Sequence, residues 1–261
     1  MRNVNTLAES VAVPAIHVVA AGEASRSHLG GSPRLPGGVS WPEWQGRRLG
    51  FLARLSLPEV HRARKLEWLP PDGALLFFYD VEEQPWGFDP KDKGSCAVLH
   101  VPDLDEPLAS SADAAEDEYF PQMNVEFREI AIYPSTDRPA VDALDLSDEE
   151  RERYWELLDS PFRGMPKHQV SGLPAPVQGD YMELECQLAS NGLYCGNQTG
   201  YNDPRAKALG SGAADWRLLL QLDTDDDAVM WGDCGTLYFW IRVNEAAAGN
   251  FDNPWLVLQC S

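Results

Sequence analysis

The residues best suited to chemistry in this chain fall between Leu222 and Gly235. LDTDDD at 222–227 places Asp223, Asp225, Asp226 and Asp227 in a short run, and such a run can gather oxygen ligands for a divalent cation. It lacks the Gly and Glu positions of an EF-hand loop, so a solvated turn is the better reading and the four aspartates are weak metal candidates. MWGDCG at 230–235 is the sharper signal. Gly232 and Gly235 flank Asp233, which suits a tight turn entering a strand. In the competing reading Asp233 faces a groove floored by Trp231 and Trp240, with Trp41 of the first half as a further wall. Trp231, Asp233, Trp240 and Trp41 are therefore the candidate ligand-binding residues.

Signals for catalysis are weak. No G-x-S-x-G elbow occurs. Cys234 beside Asp233, with His168 elsewhere, has no spacing that argues for a Cys–His pair, and a buried structural cysteine is the better reading. Asp80, Asp223 and Asp233 stand at ends of apolar segments, as a glycosidase pair would. With 41 acidic residues, however, such placements arise freely. GGSPRLPGG at 30–38 lacks the Lys-Ser/Thr ending of a phosphate loop. No catalytic residue and no cofactor is assigned, and the chain is read as non-catalytic.

Composition narrows the partners. Lys and Arg number 21 against 41 Asp and Glu, a net charge of -20 over 261 residues. That field repels nucleic acid and anionic membrane and favours a basic protein, a metal cation or a cationic ligand. The five cysteines are odd in number and include no C-x-x-C, so neither a disulfide framework nor a common zinc site is expected. Reduced thiols in the cytoplasm are the simplest reading. Val11–Ala21 is mostly apolar but contains Pro14 and His17, and it reads as an internal strand rather than a signal peptide. No run reaches the ~18 apolar residues of a membrane span.

The elements that must position these residues are mostly strands. Val11–Val19, Leu49–Leu57, Gly73–Asp80, Cys96–Val101, Val125–Tyr133, Trp216–Asp223, Gly235–Val243 and Trp255–Gln259 are apolar runs of strand length. GALLFFYD at 73–80 is apolar at almost every position, so both of its faces must be covered. Gly30–Pro42 and His168–Asp180 are Gly/Pro-rich loops carrying apolar residues that need burial. SDEERERYWELLD at 147–159 is the clearest helix: Ser147 and Glu150 fit a capping box, and Tyr154, Leu157 and Leu158 share one face. Pro58–Trp68 reads as a short helix, 181–194 as helical or irregular, 197–212 as a polar loop and 103–118 as an acidic loop.

Two segments align. FLARL at 51–55 matches LLLQL at 218–222, and GALLFFY at 73–79 matches GTLYFWI at 235–241, with Gly31 and Pro33 set against Gly172 and Pro174. Self-similarity at this scale implies two internal repeats, about 28–101 and 168–243. Neither hairpin can cover its own apolar faces, so packing one unit against the other is the economical burial. The fold expected is mainly β (α+β): two intertwined strand–connection–strand units in one β-rich globule spanning 1–261, with a few peripheral helices.

GGSPRLPGGVSWP, LGFLARLSL, PPDGALLFFYD, LLLQLDTDDD and MWGDCGTLYFWI, in that order, resemble the YwqG-like family of bacterial proteins, a domain of unknown function. The resemblance runs from about Val13 to Cys260. Arg54 departs from it, standing where the pattern more often has Gln, as at Gln221. The resemblance implies a mostly β fold with an internal duplication and no established activity. The function expected is a non-catalytic cytoplasmic protein-binding module with a basic partner, in the manner of an immunity protein. The alternatives are a small-ligand or carbohydrate-binding protein or hydrolase with a groove near Asp233, and a Ca²⁺-dependent module. A solvated aspartate run predicts a melting temperature unchanged by millimolar Ca²⁺; a rise would instead establish 223–227 as a cation site.

Overall fold

Strands apolar on both faces need a layer above and a layer below, and the chain supplies both. The computed structural model describes residues 2–22, 24–102, 108–110, 119–225 and 229–261, with the main chain alone for 34 and 108–110. Ten strands form one antiparallel sheet. They are β1 Val13–Ala20, β2 His28–Leu29, β3 Gly50–Ser56, β4 Ala74–Tyr79, β5 Cys96–Val101, β6 Met123–Ile132, β7 Gln169–Val170, β8 Trp216–Asp223, β9 Thr236–Arg242 and β10 Trp255–Gln259. Across the sheet the order is β5-β4-β3-β2-β6-β1-β7-β8-β9-β10. β6 pairs with β2 and β1 with β7, and β1 and β6 pair with each other along their length.

The sheet curls until it is nearly closed. Its β10 edge is covered by the connection after β4, where Leu258 N–H reaches Trp86 O at 3.1 Å and Trp255 Nε1–H reaches Gly87 O at 2.8 Å. The His100 ring of β5 lies 5.5 Å from that of Phe251, just before β10. Inside, alternate residues of every long strand form one core: Leu75, Phe77 and Tyr79 from β4 meet Leu237, Phe239 and Ile241 from β9. Phe77 and Phe239 touch edge-to-face at 5.3 Å. Outside, Leu76 and Phe78 pack with Phe51, Leu35 and Trp41 under the first Gly/Pro segment. Tyr238 and Trp240 pack with Met182, Cys186 and Trp216 under the helix Met182–Ala189. Both faces of β4 and β9 are thus covered, as their uninterrupted apolar sequences require.

Each of these hairpins carries an irregularity at one position. Between β3 and β4 the register slips at Leu52, and between β8 and β9 it slips at Leu219. A bulge turns two successive side chains to one face, and Leu52 with Ala53, like Leu219 with Leu220, joins the interior core.

Several boundaries move. The helix after β3 spans Leu57–Ala63 and stops before Arg64, whose backbone is extended, rather than continuing to Trp68. Residues 197–212 are not a plain loop but include short helices at Gln198–Tyr201 and Ala206–Leu209, the first capped by Asn197. Val4–Ser10 is a helix capped by Asn3, absent from the sequence reading. The capping box of Asp148–Leu158 forms as expected, with Glu150 N–H donating to Ser147 Oγ and Ser147 N–H to Glu150 Oε2. Its Tyr154 packs with Val4 and Ala8 in a small satellite cluster, not with the main core. Of 103–118, only the strand Leu108–Ser110 is described, and it pairs with Arg34–Pro36. Among the described residues no helix is long and apolar enough to cross a membrane.

Gly87 has φ +81°, and a Cβ there would lie 1.8 Å from Leu256 O. Gly38 has φ +83° but open space around it. Gly87→Ala must therefore push the edge cover off β10, whereas Gly38→Ala bears only the left-handed strain of about 1–2 kcal/mol. Urea unfolding is expected to show Gly87→Ala as the more destabilising by at least about 2 kcal/mol. Equal losses would show that this edge contact does not support the sheet.

Candidate functional site

The four residues expected to share a groove are distributed by the fold. Trp231 is in the interior core, its ring near Tyr79 and Phe120 at 6.3 and 6.4 Å. Trp240, next along β9 from Phe239, points to the opposite face and packs among Met182, Trp216 and Trp255. Trp41 lies in the third cluster, edge-to-face with Phe78, and donates its indole N–H to Leu49 O at 2.8 Å. Strand alternation explains Trp240: its neighbour Phe239 faces the interior, so Trp240 must face the outer layer. Asp233 is exposed at the tip of its turn. Gly235 N–H closes that turn on Trp231 O at 2.6 Å, with Gly232 and Cys234 both left-handed, and the Asp233 carbonyl accepts from Ser261. Gly235 has no room for a side chain, since a Cβ would lie 2.5 Å from Gln259 O and 2.7 Å from Trp231 O.

The acidic run is similarly divided. Asp223 is committed to local structure: it accepts from Lys167 N–H at 2.9 Å and from Thr236 Oγ1–H at 2.9 Å. Asp225 pairs through its main chain with Val229. Asp226 and Asp227 lie outside the described residues. Among the described residues no group of three or more His, Cys, Asp or Glu is placed to hold a metal ion. The other pairings that chemistry would need are equally separate. Asp80 is buried in an ion pair with Arg47 at 2.6 Å. Cys234 is exposed in the 231–235 turn, not the buried cysteine expected, whereas His168 is buried.

Beside the 231–235 turn lies a small cavity whose wall is almost wholly apolar. The cavity measures about 20 Å³ and is lined by Leu29, Phe120, Met123, His168, Leu222, Asp223, Asp225, Val229 and Trp231, with Pro121. His168 Nδ1 accepts the Asp223 main-chain N–H at 3.1 Å. That contact fixes the proton of the neutral ring on Nε2. Nε2 is buried and has no hydrogen-bond partner, and Trp231 Nε1 is in the same state. Burial pushes the His168 imidazole down to about 4, against the pull of Asp223 and Asp225, with His17 adding to the depression. In the sequence His168 stands out only as a distant partner for Cys234 and as the first residue of the second Gly/Pro segment. The signal that would have raised its standing is positional: it opens the second Gly/Pro segment as Ser27 precedes the first.

His168 is held in place by its segment, and buried glutamines hold that segment. Gln221 donates to Lys167 O at 2.7 Å and accepts from Ala175 N–H at 3.0 Å. Gln259 accepts from Val177 and Gln178 N–H and donates to Gly179 O, while Gln169 donates to Ser171 and Leu173 O. Tyr238 Oη–H adds Ala175 O at 2.8 Å. A Gly/Pro segment has no ladder of its own, so these side chains satisfy its main chain.

Above the cavity, Gln84 Oε1 accepts Gly232 N–H at 2.8 Å and ties the connection after β4 to the turn. Around this tie stand the exposed side chains of Trp86 (43%), Tyr119 (43%) and Met230 (52%), with Glu82 and Glu83 beside Arg47.

Residues 27–260 match the family described as Domain of unknown function (DUF1963). No curated protein matches the chain.

Folded His168 stays neutral to about pH 4, while the unfolded side chain protonates near 6.5. The unfolded state therefore binds the extra proton first, and stability is lost as pH falls from 6.5 toward 4. The loss attributable to His168 is up to about 3 kcal/mol. Stability measured against pH is expected to fall less steeply across this window in His168→Gln; parallel profiles would refute the burial argument.

Proposed function

The chain belongs to this family of unknown function, DUF1963, and we propose that it is a non-catalytic binding protein that captures a basic protein partner at the end of the barrel bearing the 231–235 turn. The observation that carries this reading is the exposure of Trp86, Tyr119 and Met230, with Glu82 and Glu83 on Arg47 and the exposed Asp233 in the neighbouring segments. Local contacts bring the segments that carry them together. Tyr119 and Val81 both lie against Gly50, and a Cβ on Gly50 would meet them at 2.9 and 2.8 Å. Gln84 then bridges to Gly232, beside Met230 and Asp233. Large aromatic and Met side chains favour interface cores, and a net charge of -20 speeds encounter with a basic partner. An immunity-like neutralisation of a basic toxin fits this charge. A reducing, cytoplasmic setting fits the thiols, since all five cysteines are free and four are buried.

The same reading takes the two halves, about 28–101 and 168–243, as copies of one unit. In its support, the bulges fall at Leu52 and Leu219, which the alignment of 51–55 on 218–222 superposes. Gly31 and Gly172 are both left-handed, and Gly73 and Gly235 each abut a carbonyl on the next strand, Val101 and Gln259. A YwqG-like duplication accounts for these coincidences together.

Pull-down from lysate tests the partner. Recovery of a basic protein at low salt, weakened at moderate salt and reduced at least about tenfold by Trp86→Ala with Met230→Ala, is expected. Capture indifferent to salt and to both substitutions would sink the proposal.

A further inference from the structure

The two edges of the sheet differ. β10 is covered by the connection after β4, with Leu258 N–H on Trp86 O at 3.1 Å. The β5 edge has no such cover. Asp80 N–H donates to Ser95 O at 2.9 Å, and the register of β4 with β5 runs from there to Val101 without a slip. Residues of an antiparallel ladder alternate between bonding the partner strand and facing away from it. The main chain of Ala97, Leu99 and Val101 therefore bonds β4, and the N–H and C=O groups of Val98 and His100 point off the sheet. Among the described residues these groups have no hydrogen-bond partner. Sheet edges are ordinarily protected by a charge, a Pro, a bulge or a covering segment. The strand CAVLHV at 96–101 has no Lys, Arg, Asp, Glu or Pro, and no bulge. Beside it lies an open groove of about 420 Å³, lined by 98–101 and 248–252 together with Pro36 and Val39.

We propose that the β5 edge is a docking site for an extended basic segment of a partner protein, which pairs with Val98 and His100 as an added strand. A donor and an acceptor on one residue, repeated two residues on, match another extended main chain. The apolar part of the lining, with Val39 41% exposed, suits alternate apolar side chains of that segment. Charge selects its sign. Asp252 is the one ionised side chain that lines the groove, and no Lys or Arg does. Asp72 is exposed at the His100 end, its main-chain oxygen 3.2 Å from His100 Nε2. A net charge of -20 attracts a basic segment and repels an acidic one. The same charge opposes pairing of this edge with its copy on a second molecule. The site lies on a different edge of the fold from the 231–235 turn and does not rest on the reading given for that turn.

The test is proton–nitrogen NMR of the full chain, with the peptide acetyl-Lys-Val-Lys-Val-Lys-Val-amide as probe. The Val98 and His100 amide signals are expected to move saturably and together, and both amides to exchange hydrogen at least about tenfold more slowly in the complex. The same peptide N-methylated at every residue keeps its charge and side chains but loses its main-chain donors, so it should bind at least about tenfold more weakly. Replacing its three lysines by glutamate should weaken binding by a similar factor at low salt. Absence of a saturable shift at these two amides, equal binding of the N-methylated peptide, or tighter binding of the glutamate peptide overturns the assignment. Movement of both signals with protein concentration alone overturns it in favour of a second copy of the chain.

Discussion

Everything in this molecule follows from the contact between Phe77 and Phe239 and the need to bury the strands that carry them. β4 and β9 are apolar on both faces, so neither can lie at a surface. Their inner faces meet across the barrel, edge-to-face at 5.3 Å. Such a pair contributes about 0.5–1.5 kcal/mol beyond its area, but its larger effect is to hold two hairpins from distant parts of the chain in one core. Once the inner faces meet, the outer faces need separate covers, and the Gly/Pro segments with the helix Met182–Ala189 provide them.

The covers explain where polarity enters an otherwise apolar fold. A Gly/Pro segment can follow a sheet closely, but its amides and carbonyls must then be satisfied one by one. Gln169, Gln221 and Gln259 do this over the second half, each fully buried and each bonded to main chain. His168 belongs to the same layer and serves the same purpose through Nδ1. Its second nitrogen and the Trp231 indole are what remains when the local main chain has been satisfied. In the first half Ser27, which precedes the first Gly/Pro segment, gives its proton to Glu59.

The exposed end of the barrel is built by the same constraint. The connection after β4 must cover the β10 edge, and in doing so it brings Trp86 and Gln84 to the 231–235 turn. Residues that the chain separates by about half its length become one surface. Closure of the sheet and formation of that surface are therefore one event.

The sequence by itself determined the eight long strands, because continuous apolar runs leave little choice of element; the two-residue strands β2 and β7, the second inside a segment that reads as a Gly/Pro-rich loop, have no such run. Cys96–Val101, Trp216–Asp223 and Trp255–Gln259 are found with the expected bounds. The two-sided cover of β4 and the Ser147–Glu150 box were legible too, since both rest on local spacing. Only the tertiary structure decided what those strands bring together. It sent Trp41, Trp231 and Trp240 to three different clusters, because alternation along a strand and the choice of covering layer are set by pairing across the sheet. It also set β1 and β6 side by side at the centre of the sheet and left His168 Nε2 and Trp231 Nε1 buried without an acceptor. Whether a buried donor finds an acceptor depends on every neighbour in space, and no spacing along the chain records that.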